Sequence, residues 1–327
     1  MRRSRIAGVG RAVPEKVLSN FDLEKIVETS DAWITDRSGI KERRILADDL
    51  CTSDLAAEAG RKALAQAELE PKDIDMIIVG TVTPDMPMPA TATFVQHKLG
   101  APRCPAFDIS AACAGFIYGL SIADSFVGRG ACERVLVVGV EILSRSLDWT
   151  DRTTCVLFGD GAGAAVVTAS DDPERGIIDT LIASDGEQAC HLEIPGGGTK
   201  HPATHDTVEK KLHFVHMNGR QIFTQAVRNM SSASSEILER NGLGPDDVNT
   251  VFAHQANIRI LESVSQRTRI PMERFFNNIA RYGNTSSASI PIAMSEAIEQ
   301  DRVAKGDLFL LTALGAGVSW GSALVRW

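Results

Sequence analysis

The chain has 327 residues, of which 44% are hydrophobic and 23% are charged, a composition typical of a globular protein with a large core. A formal net charge of −8 argues against a general nucleic-acid binder, which needs a basic face. No apolar run reaches the roughly 18 residues that cross a membrane, and no apolar stretch of signal-peptide length follows the basic N-terminus. We therefore expect a cytoplasmic protein without membrane insertion.

Apolar runs alternate with amphipathic segments along the chain. The first amphipathic segment, "SDLAAEAGRKALAQAEL", begins with a Ser-Asp cap signal and predicts a helix over 53–69, and a second helix is predicted over 220–242. Nearly continuous apolar runs predict buried strands at 76–82, 135–141, 164–169, 250–256 and 308–314. Alternation of this kind indicates an α/β protein whose sheets are covered by helices on both faces.

An internal repeat divides the chain. "EPKDIDMIIVGTVTPD" matches "GPDDVNTVFAHQAN", and "FDISAACAG" matches "FNNIARYGN". These matches predict duplication of one αβ unit into two halves, 1–172 and 173–327, joined by the polar segment "ASDDPERG". In this pairing Cys113 lies opposite Asn284 in the equivalent loop, and His254 follows the second half's own buried strand.

Cys113 lies in "DISAACAGF", where an apolar segment passes into a predicted helix. Such a cysteine is ordinarily a small core hydrophobe. Exposed N–H groups at a helix N-terminus, however, stabilise a thiolate and lower its pKa. Small neighbours leave room for a substrate and for backbone donors that face an oxyanion. With His254 and Asn284 from the other half, the pattern predicts a nucleophile, an acid–base group or donor, and a second donor.

Metal and nucleotide motifs are missing from the sequence. The six cysteines are scattered without zinc spacing, and the histidines between 191 and 216 fit no metal motif. "GVGRAV" and "GDGAGA" lack the complete dinucleotide fingerprint with its acidic residue. We therefore expect no metal and no cofactor such as NAD or ATP.

Three segments in chain order, "DISAACAGFIYGL", "VFAHQANIRI" and "IARYGNTSSASIPIAM", resemble the signature segments of the β-ketoacyl-acyl-carrier-protein synthase III family. The resemblance covers essentially the whole chain, including "SDAWITDRSGIKERRI", "LFGDGAGAAVV" and "GVSWGSALVRW". It implies a thiolase-like α/β fold, in which duplicated αβ halves with mixed five-stranded sheets form a layered αβαβα arrangement. It also implies a homodimeric acyltransferase that performs the initiating condensation of fatty-acid synthesis.

The resemblance implies a two-step reaction. Cys113 takes the acyl group from acyl-coenzyme A, which is a substrate rather than a cofactor, and coenzyme A leaves. Malonyl-acyl-carrier-protein then loses CO2, while His254 and Asn284 donate hydrogen bonds to the resulting enolate. The enolate attacks the acyl-Cys113 thioester and gives 3-oxoacyl-acyl-carrier-protein. The backbone N–H groups of Cys113 and Ala316 hold the oxyanion, although the family usually has glycine in place of Ala316.

The same resemblance assigns contacts to coenzyme A and to the carrier protein. Trp33 and Arg152 correspond to the pair that sandwiches the adenine, by stacking of an indole and a planar guanidinium. Arg37 corresponds to a phosphate contact. Asn257 and Arg259 correspond to positions at the pantetheine tunnel and its rim, and Arg259 is also a candidate docking point for the acidic carrier protein.

The acyl pocket is assigned by the resemblance to Leu143, Phe158 and Met88. Met88 falls where the family usually has a phenylalanine that reaches across a dimer interface and closes the pocket of the partner. Methionine is flexible and can repack, so we expect a larger or more variable pocket. The length and branching of the acyl primer stay open.

Related enzymes of the same fold differ from this chain in their catalytic residues. Elongating ketosynthases use a second histidine where this chain has Asn284, and thiolases use a second cysteine near the C-terminus, whereas no cysteine here lies beyond Cys190. Hydroxymethylglutaryl-CoA synthases use an additional glutamate. Chalcone-synthase-like enzymes share the Cys-His-Asn set, but the residues around it fit synthase III better. A starter-unit or acyl-transfer enzyme of polyketide or other secondary metabolism remains an alternative, as does a non-catalytic partner of the same fold.

Overall fold

The computed structural model describes residues 2–327 and contains thirteen strands in that range. The strands are β1 (Ser4–Ala12), β2 (Lys16–Ser19), β3 (Glu42–Ile45), β4 (Met76–Gly80), β5 (Ala106–Ile109), β6 (Arg134–Glu141), β7 (Gly161–Ala169), β8 (Gly176–Ser184), β9 (Leu192–Glu193), β10 (His216–Met217), β11 (Thr250–Ala253), β12 (Leu308–Gly315) and β13 (Ser319–Arg326). All five predicted strands are present, and the strand expected over 250–256 ends early, at Ala253.

The helices include both of those predicted from the sequence. They are α1 (Asn20–Leu23), α2 (Asp31–Ser38), α3 (Thr52–Gln66), α4 (Thr91–Leu99), α5 (Gly115–Gly128), α6 (His205–Glu209), α7 (Gly219–Arg240), α8 (Ile258–Thr268), α9 (Ile279–Tyr282) and α10 (Ser289–Glu299). Helix α3 begins one residue before the predicted cap, because the backbone N–H of Cys51 donates to the Asp54 carboxylate at 3.0 Å. Within residues 2–327, none of the helices has the length and apolar character that crossing a membrane requires.

The first half forms a mixed five-stranded sheet in the order β1-β7-β6-β4-β5. Strand β4 pairs in parallel with both β5 and β6, whereas β7 pairs antiparallel with β6 and with β1. The parallel strands are almost entirely buried, as their continuous apolar runs predict.

The second half repeats this strand order with one difference. Its sheet runs β8-β13-β12-β11, and β12 again pairs in parallel with β11 and antiparallel with β13. The sequence-based expectation of five strands is wrong for this sheet, which has four in the described residues. Where the fifth would lie, Phe275 makes a single bridge to Val251, because the short turn Met272–Arg274 leaves only a brief extended segment.

The turns that precede α5 and α10 are equivalent in the two halves. Each is a single 3₁₀ turn, Ala112–Ala114 and Ser286–Ala288, and each begins with a residue at positive φ, +44° for Ala112 and +50° for Ser286. Counted from these turns, Cys113 corresponds to Ser287. The predicted pairing of Cys113 with Asn284 is therefore correct for the loop but wrong by three residues.

Five layers form the body of the molecule, as the resemblance implied. Helices α5 and α10 lie between the two sheets, where Phe116 and Met294 pack with strand residues such as Ile78 and Phe309. Helices α3 and α4 cover the outer face of the first sheet, and α7 and α8 cover the outer face of the second. Residue 172 lies in the connection between β7 and β8.

Glycines allow the second half to approach the first closely beside the turn of Cys113. A Cβ on Gly139 of β6 would lie 2.3 Å from the carbonyl oxygen of Ser287, and a Cβ on Gly315 would lie 2.4 Å from the backbone nitrogen of Cys113. Both distances are impossible for a real side chain. A larger residue at position 139 would push the turn of Ser287 away from β6, and one at position 315 would push the turn of Cys113 away from β12. Because Gly139 and Gly315 have no side chains, the ends of the two sheets can lie close together beside Cys113.

Candidate active site

Cys113 lies in the middle of the turn that joins β5 to α5. Its side chain is 6% exposed, and its neighbours Ala111, Ala112 and Ala114 are buried as well. The turn therefore places the sulfur at the N-terminal end of a 14-residue helix, as the sequence predicted. The small neighbours keep the backbone close to the thiol and leave space in front of it.

His254 follows β11 and is buried. Its backbone N–H continues the strand pairing by donating to Thr312 O at 2.8 Å. Its Nδ1 lies 2.7 Å from the Ser289 hydroxyl, at the start of α10. Burial lowers the pKa of His254 to about 3, so the imidazole is neutral at physiological pH. If the Ser289 hydroxyl donates to Nδ1, the proton of the neutral ring is on Nε2.

Asn284 follows α9 and is held by its backbone against the first half. Its N–H donates to Leu157 O at 2.9 Å, and its carbonyl accepts from Gly159 N at 3.0 Å. Its side-chain Oδ1 accepts from the backbone N–H of Ser286 at 2.8 Å. Because Oδ1 is engaged by the turn before α10, Nδ2 is the group of this amide that is available to a ligand.

Cys113, His254 and Asn284 line a single cavity of about 340 Å³. Apolar side chains form most of the remaining wall, including Leu157, Phe158 and Leu314. Two neutral side chains capable of donating hydrogen bonds therefore share one largely apolar space with a thiol. The structure brings together the residues that the sequence predicted, and their catalytic roles remain predictions.

The electrostatic state of Cys113 differs from the sequence-based expectation. Burial raises the pKa of the thiol to about 12, and the carboxyl group of Glu141 adds to the rise. The Ser286 hydroxyl and the Cys113 backbone N–H favour the thiolate but do not outweigh burial. The net shift of the Cys113 pKa is therefore upward, opposite to the direction that the sequence analysis expected from the helix N-terminus.

Ser289 and Glu141 are among the polar residues of the site that the sequence analysis missed. Ser289 fixes the ring of His254, and Glu141 lies fully buried behind Cys113 at the end of β6. The signal for Glu141 was available, because a carboxylate that ends a continuous apolar run such as "VLVVGVE" must find donors inside the protein. Ser289 gave no such signal, since serines are common at helix starts.

Trp33, Arg37 and Arg152 lie at the mouth of the cavity. The guanidinium carbon of Arg37 lies 4.6 Å from the centre of the Trp33 ring, and that of Arg152 lies 5.5 Å from it. Arg152 also donates to Glu28 O at 3.0 Å. The site predicted for the adenine, between Trp33 and Arg152, is therefore closed in this structure. A base between these two side chains would have to stack on both of them, and Arg152 already lies directly over the Trp33 ring. An aromatic ligand can enter only if the Arg152 side chain swings away.

Asn257 and Arg259 differ in their relation to the cavity. Asn257 lines it, donates through Nδ2 to Arg37 O at 2.9 Å, and caps α8 through Oδ1. Arg259 does not line it, because its guanidinium is paired with Asp36, at 2.8 Å from the carboxylate and 2.9 Å from the carbonyl oxygen. In this conformation the Arg259 side chain is half exposed on the surface, and its assignment to the rim of the tunnel stays a prediction.

A second cavity of about 250 Å³ opens on the other side of Cys113. Leu143, Phe158 and Ala316 line it, as predicted for an acyl pocket and an oxyanion donor, and Phe158 lines the first cavity as well. Met88 does not line this cavity within its own chain and is 83% exposed. The prediction for Met88 requires a second copy of the chain.

Comparison with protein families gives two matches that together span half of the chain. The model described as 3-oxoacyl-[acyl-carrier-protein (ACP)] synthase III matches residues 107–186, and the model of its C-terminal part matches residues 238–327. Among curated relatives, β-ketoacyl-[acyl-carrier-protein] synthase III of Caldanaerobacter subterraneus is 51% identical, and that of Roseiflexus castenholzii is 52% identical. Each alignment covers 98% of this chain and 97% of the relative.

Solved structures give the same result. The 3-oxoacyl-[acyl-carrier-protein] synthase III of Aquifex aeolicus is 48% identical with a TM-score of 0.91, covering 99% of this chain and 100% of the other. The priming β-ketosynthase of the R1128 polyketide pathway is 35% identical, also with a TM-score of 0.91, covering 99% and 96%. Fold and site thus define a condensing enzyme of the thiolase-like fold, an acyltransferase. The chain belongs to the β-ketoacyl-acyl-carrier-protein synthase III family.

The burial of His254 predicts a pH-dependent stability. Because its pKa is about 3 in the folded protein and near 6.5 when exposed, the unfolded state binds one more proton between these values. The folded state should therefore lose about 1.4 kcal/mol per pH unit through this group as the pH falls from 6 to 4. Urea unfolding across this range should give a steeper loss for the wild type than for His254→Gln. Parallel curves would show that His254 titrates normally in the folded protein.

Proposed function

We propose that the protein catalyses the initiating condensation between an acyl-coenzyme A primer and malonyl-acyl-carrier-protein. The acyl group is first transferred to Cys113 and coenzyme A leaves. Decarboxylation of the malonyl group then gives an enolate, which attacks the acyl-Cys113 thioester to form 3-oxoacyl-acyl-carrier-protein and CO2. The observation that carries this proposal is the cavity shared by Cys113, His254 and Asn284, together with the family to which the chain belongs.

His254 and Asn284 are proposed to hold the enolate oxygen during decarboxylation. A neutral imidazole with its proton on Nε2 donates one hydrogen bond, and the Asn284 amide donates another through Nδ2. Neither group carries a charge, so the negative charge that develops on the thioester oxygen meets two fixed dipoles in an apolar cavity. Electrostatic stabilisation of this kind is strong where water is excluded.

The acyl transfer steps pass through tetrahedral oxyanions near Cys113. We assign their stabilisation to the backbone N–H groups of Cys113 and Ala316, since Ala316 lines the second cavity together with Cys113. The loop of Ala316 lies against the Cys113 turn because Gly315 has no side chain there. Loss of one such donor typically raises the barrier by about 3–4 kcal/mol.

Substrate binding is proposed to open the mouth of the cavity. Arg152 would leave the face of Trp33 so that the adenine of coenzyme A can stack between them, and Arg37 would contact a phosphate. The exposed guanidinium of Arg259 is proposed as a docking point for the acidic carrier protein, which would compete with the Asp36 carboxylate. We place this reaction in the cytoplasm.

We propose that the enzyme acts as a homodimer in which Met88 closes the acyl cavity of the partner subunit. The Met88 side chain is almost fully exposed in the single chain. Met86 of the same loop is also exposed. A dimer contact would bury this apolar loop and would complete the wall of the second cavity.

Acylation of Cys113 tests the proposed function directly. Mixing the protein with acetyl-coenzyme A should give an adduct of one acetyl group on the peptide that contains Cys113, because the thioester would transfer to this thiol. Mass spectrometry of the digested protein locates the adduct. Cys113→Ala should carry none, and Cys190→Ala should behave as the wild type because Cys190 is exposed and lines neither cavity. An adduct that survives in Cys113→Ala would refute the assignment.

Decarboxylation tests the roles of His254 and Asn284. His254→Ala and Asn284→Ala should still be acylated by acetyl-coenzyme A but should release CO2 from malonyl-acyl-carrier-protein about 10²–10³-fold more slowly, because each loses an enolate donor. Radiolabelled CO2 measures this step separately from acylation. Unchanged CO2 release would contradict the roles assigned here.

A starter-unit enzyme of polyketide synthesis is the second candidate, favoured by the similarity to the R1128 priming ketosynthase. A panel of acyl-coenzyme A primers of different length and branching separates the two candidates. We expect the flexible Met88 to admit primers longer than acetyl, and Met88→Phe should narrow the range toward acetyl. Wild-type protein that uses acetyl-coenzyme A alone would contradict this role of Met88.

A further inference from the structure

Arg43 of β3 is a completely buried side chain whose hydrogen bonds go to neutral oxygen atoms. Its Nη2 donates to Val156 O at 2.7 Å, and its Nη1 donates to Leu18 O at 3.1 Å and to Asn20 Oδ1 at 2.9 Å. Burying a charged group is costly, so the guanidinium needs these acceptors in a fixed arrangement. Arg43 therefore ties together three segments of the first half that are distant along the chain.

The acceptor Val156 belongs to the wall of the first cavity. Val156 is buried, so its carbonyl oxygen needs a donor, and Arg43 supplies it. We call residues 156–159 the wall segment, because most of them line the cavity together with Asn284. Arg43 itself lines neither cavity. It therefore holds the wall segment from outside the space that a substrate would occupy.

The wall segment holds Asn284 in turn. The backbone N–H of Asn284 donates to Leu157 O at 2.9 Å, and the N–H of Gly159 donates to Asn284 O at 3.0 Å. These two bonds form a short parallel bridge between Phe158 and Asn284. Because Oδ1 of Asn284 is engaged by the N–H of Ser286, the location of its Nδ2 in the cavity depends on this backbone pairing.

The aliphatic stem of Arg43 packs against both sides of the same pairing. A Cβ on Gly159 would lie 2.9 Å from Arg43 Cβ, and a Cβ on Gly283 would lie 3.4 Å from it. Gly283 directly precedes Asn284, and Gly159 carries the N–H that donates to Asn284. The stem thus lies against the two pieces of backbone whose pairing fixes Asn284, while the guanidinium anchors one of them.

We propose that Arg43 is a positioning residue for the decarboxylation step. It holds the wall segment against Asn284 and so fixes the point in the cavity from which Asn284 Nδ2 donates to the enolate. Arg43 acts only through the wall segment and Asn284. The inference rests on the proposed function and adds to it the side chain that keeps one of the two enolate donors in place.

Arg43→Lys tests this role by separating the two half-reactions. Lysine keeps a positive charge but offers one nitrogen where the guanidinium offers a two-pronged donor, so it cannot serve acceptors on both sides. CO2 release from malonyl-acyl-carrier-protein should fall about 10²-fold, because a small displacement of Asn284 weakens its hydrogen bond to the enolate. Acylation of Cys113 at saturating acetyl-coenzyme A should stay at the wild-type rate. A general loss of folded protein would lower both rates by the same factor.

Arg274 provides a matched control. Its Nη1 donates to three backbone carbonyl groups of the segment before β11, at 2.8–3.1 Å, and its side chain lines neither cavity. Arg274→Lys therefore removes the same kind of contact in another part of the fold. The ratio of CO2 release to acylation should stay at the wild-type value in this variant. An equal fall of this ratio in Arg274→Lys and Arg43→Lys would contradict a specific role of Arg43.

A double-mutant cycle shows whether Arg43 acts through Asn284. In Asn284→Ala the enolate donor is already missing, so a residue that only positions it has no further effect. The double variant Arg43→Lys/Asn284→Ala should therefore release CO2 at the rate of Asn284→Ala alone. If the two losses multiply instead, Arg43 acts by another route and the proposal is overturned.

Hydrogen exchange followed by mass spectrometry tests the same contact without any activity. In Arg43→Lys the N–H groups of Gly159 and Asn284 should exchange about tenfold faster or more than in the wild type, because a charged hydrogen bond that holds their pairing is lost. Arg274→Lys should leave these two groups at the wild-type rate. If Arg43→Lys does not fold, Arg43→Gln, which keeps one donor on an uncharged side chain, serves the same measurements.

The two kinds of measurement distinguish this inference from the proposed function. If acetyl-coenzyme A leaves no adduct on Cys113 in the wild type, but Gly159 and Asn284 exchange faster in Arg43→Lys, the proposed function fails and Arg43 still holds Asn284. If the wild type is acylated and releases CO2, but Arg43→Lys changes neither the exchange nor the CO2 release, the positioning role fails and the proposed function stands.

Discussion

The close contact between the turn of Cys113 and the turn before α10 is the constraint on which the active site depends. Cys113 comes from the first half, and His254 and Asn284 come from the second, so the site exists only where the two halves meet. Gly139 and Gly315 leave the space in which backbone packs on backbone. The largest cluster of the hydrophobic core, formed around α5 and α10 between the sheets, holds this contact in place.

Much of this architecture could be predicted from the sequence. Parallel strands that are buried on both faces require continuous apolar runs. The segments "MIIVG" and "VLVVGVE" can therefore be recognised as strands from their own residues alone. The duplication was visible because both halves keep the same turn chemistry before the equivalent strands. Cys113, His254 and Asn284 were found because short motifs around them are specific to their family, and the structure brings all three to one cavity.

The features that could not be predicted from the sequence arise from contacts between segments that are distant along the chain. The pKa of Cys113 depends on burial by both halves, which outweighs the local effect of a helix N-terminus. Arg259 has the expected position in its motif, but its guanidinium forms an ion pair with Asp36 of α2. The fifth strand of the second sheet is reduced to one bridge at Phe275, because the turn before it leaves too little extended chain. Local patterns do not contain this information.

The stacking of Arg152 on Trp33 closes the mouth of the cavity, but this contact is weak. An exposed contact between a guanidinium and an aromatic ring contributes about 0.5–1 kcal/mol, which favours the closed arrangement over the open one by about two- to fivefold. A ligand that displaced Arg152 from the Trp33 ring would lose only that small factor in affinity. Once that ligand departs, the Arg152 side chain can return to the indole ring, so exchange between the closed and open arrangements of the mouth costs little free energy.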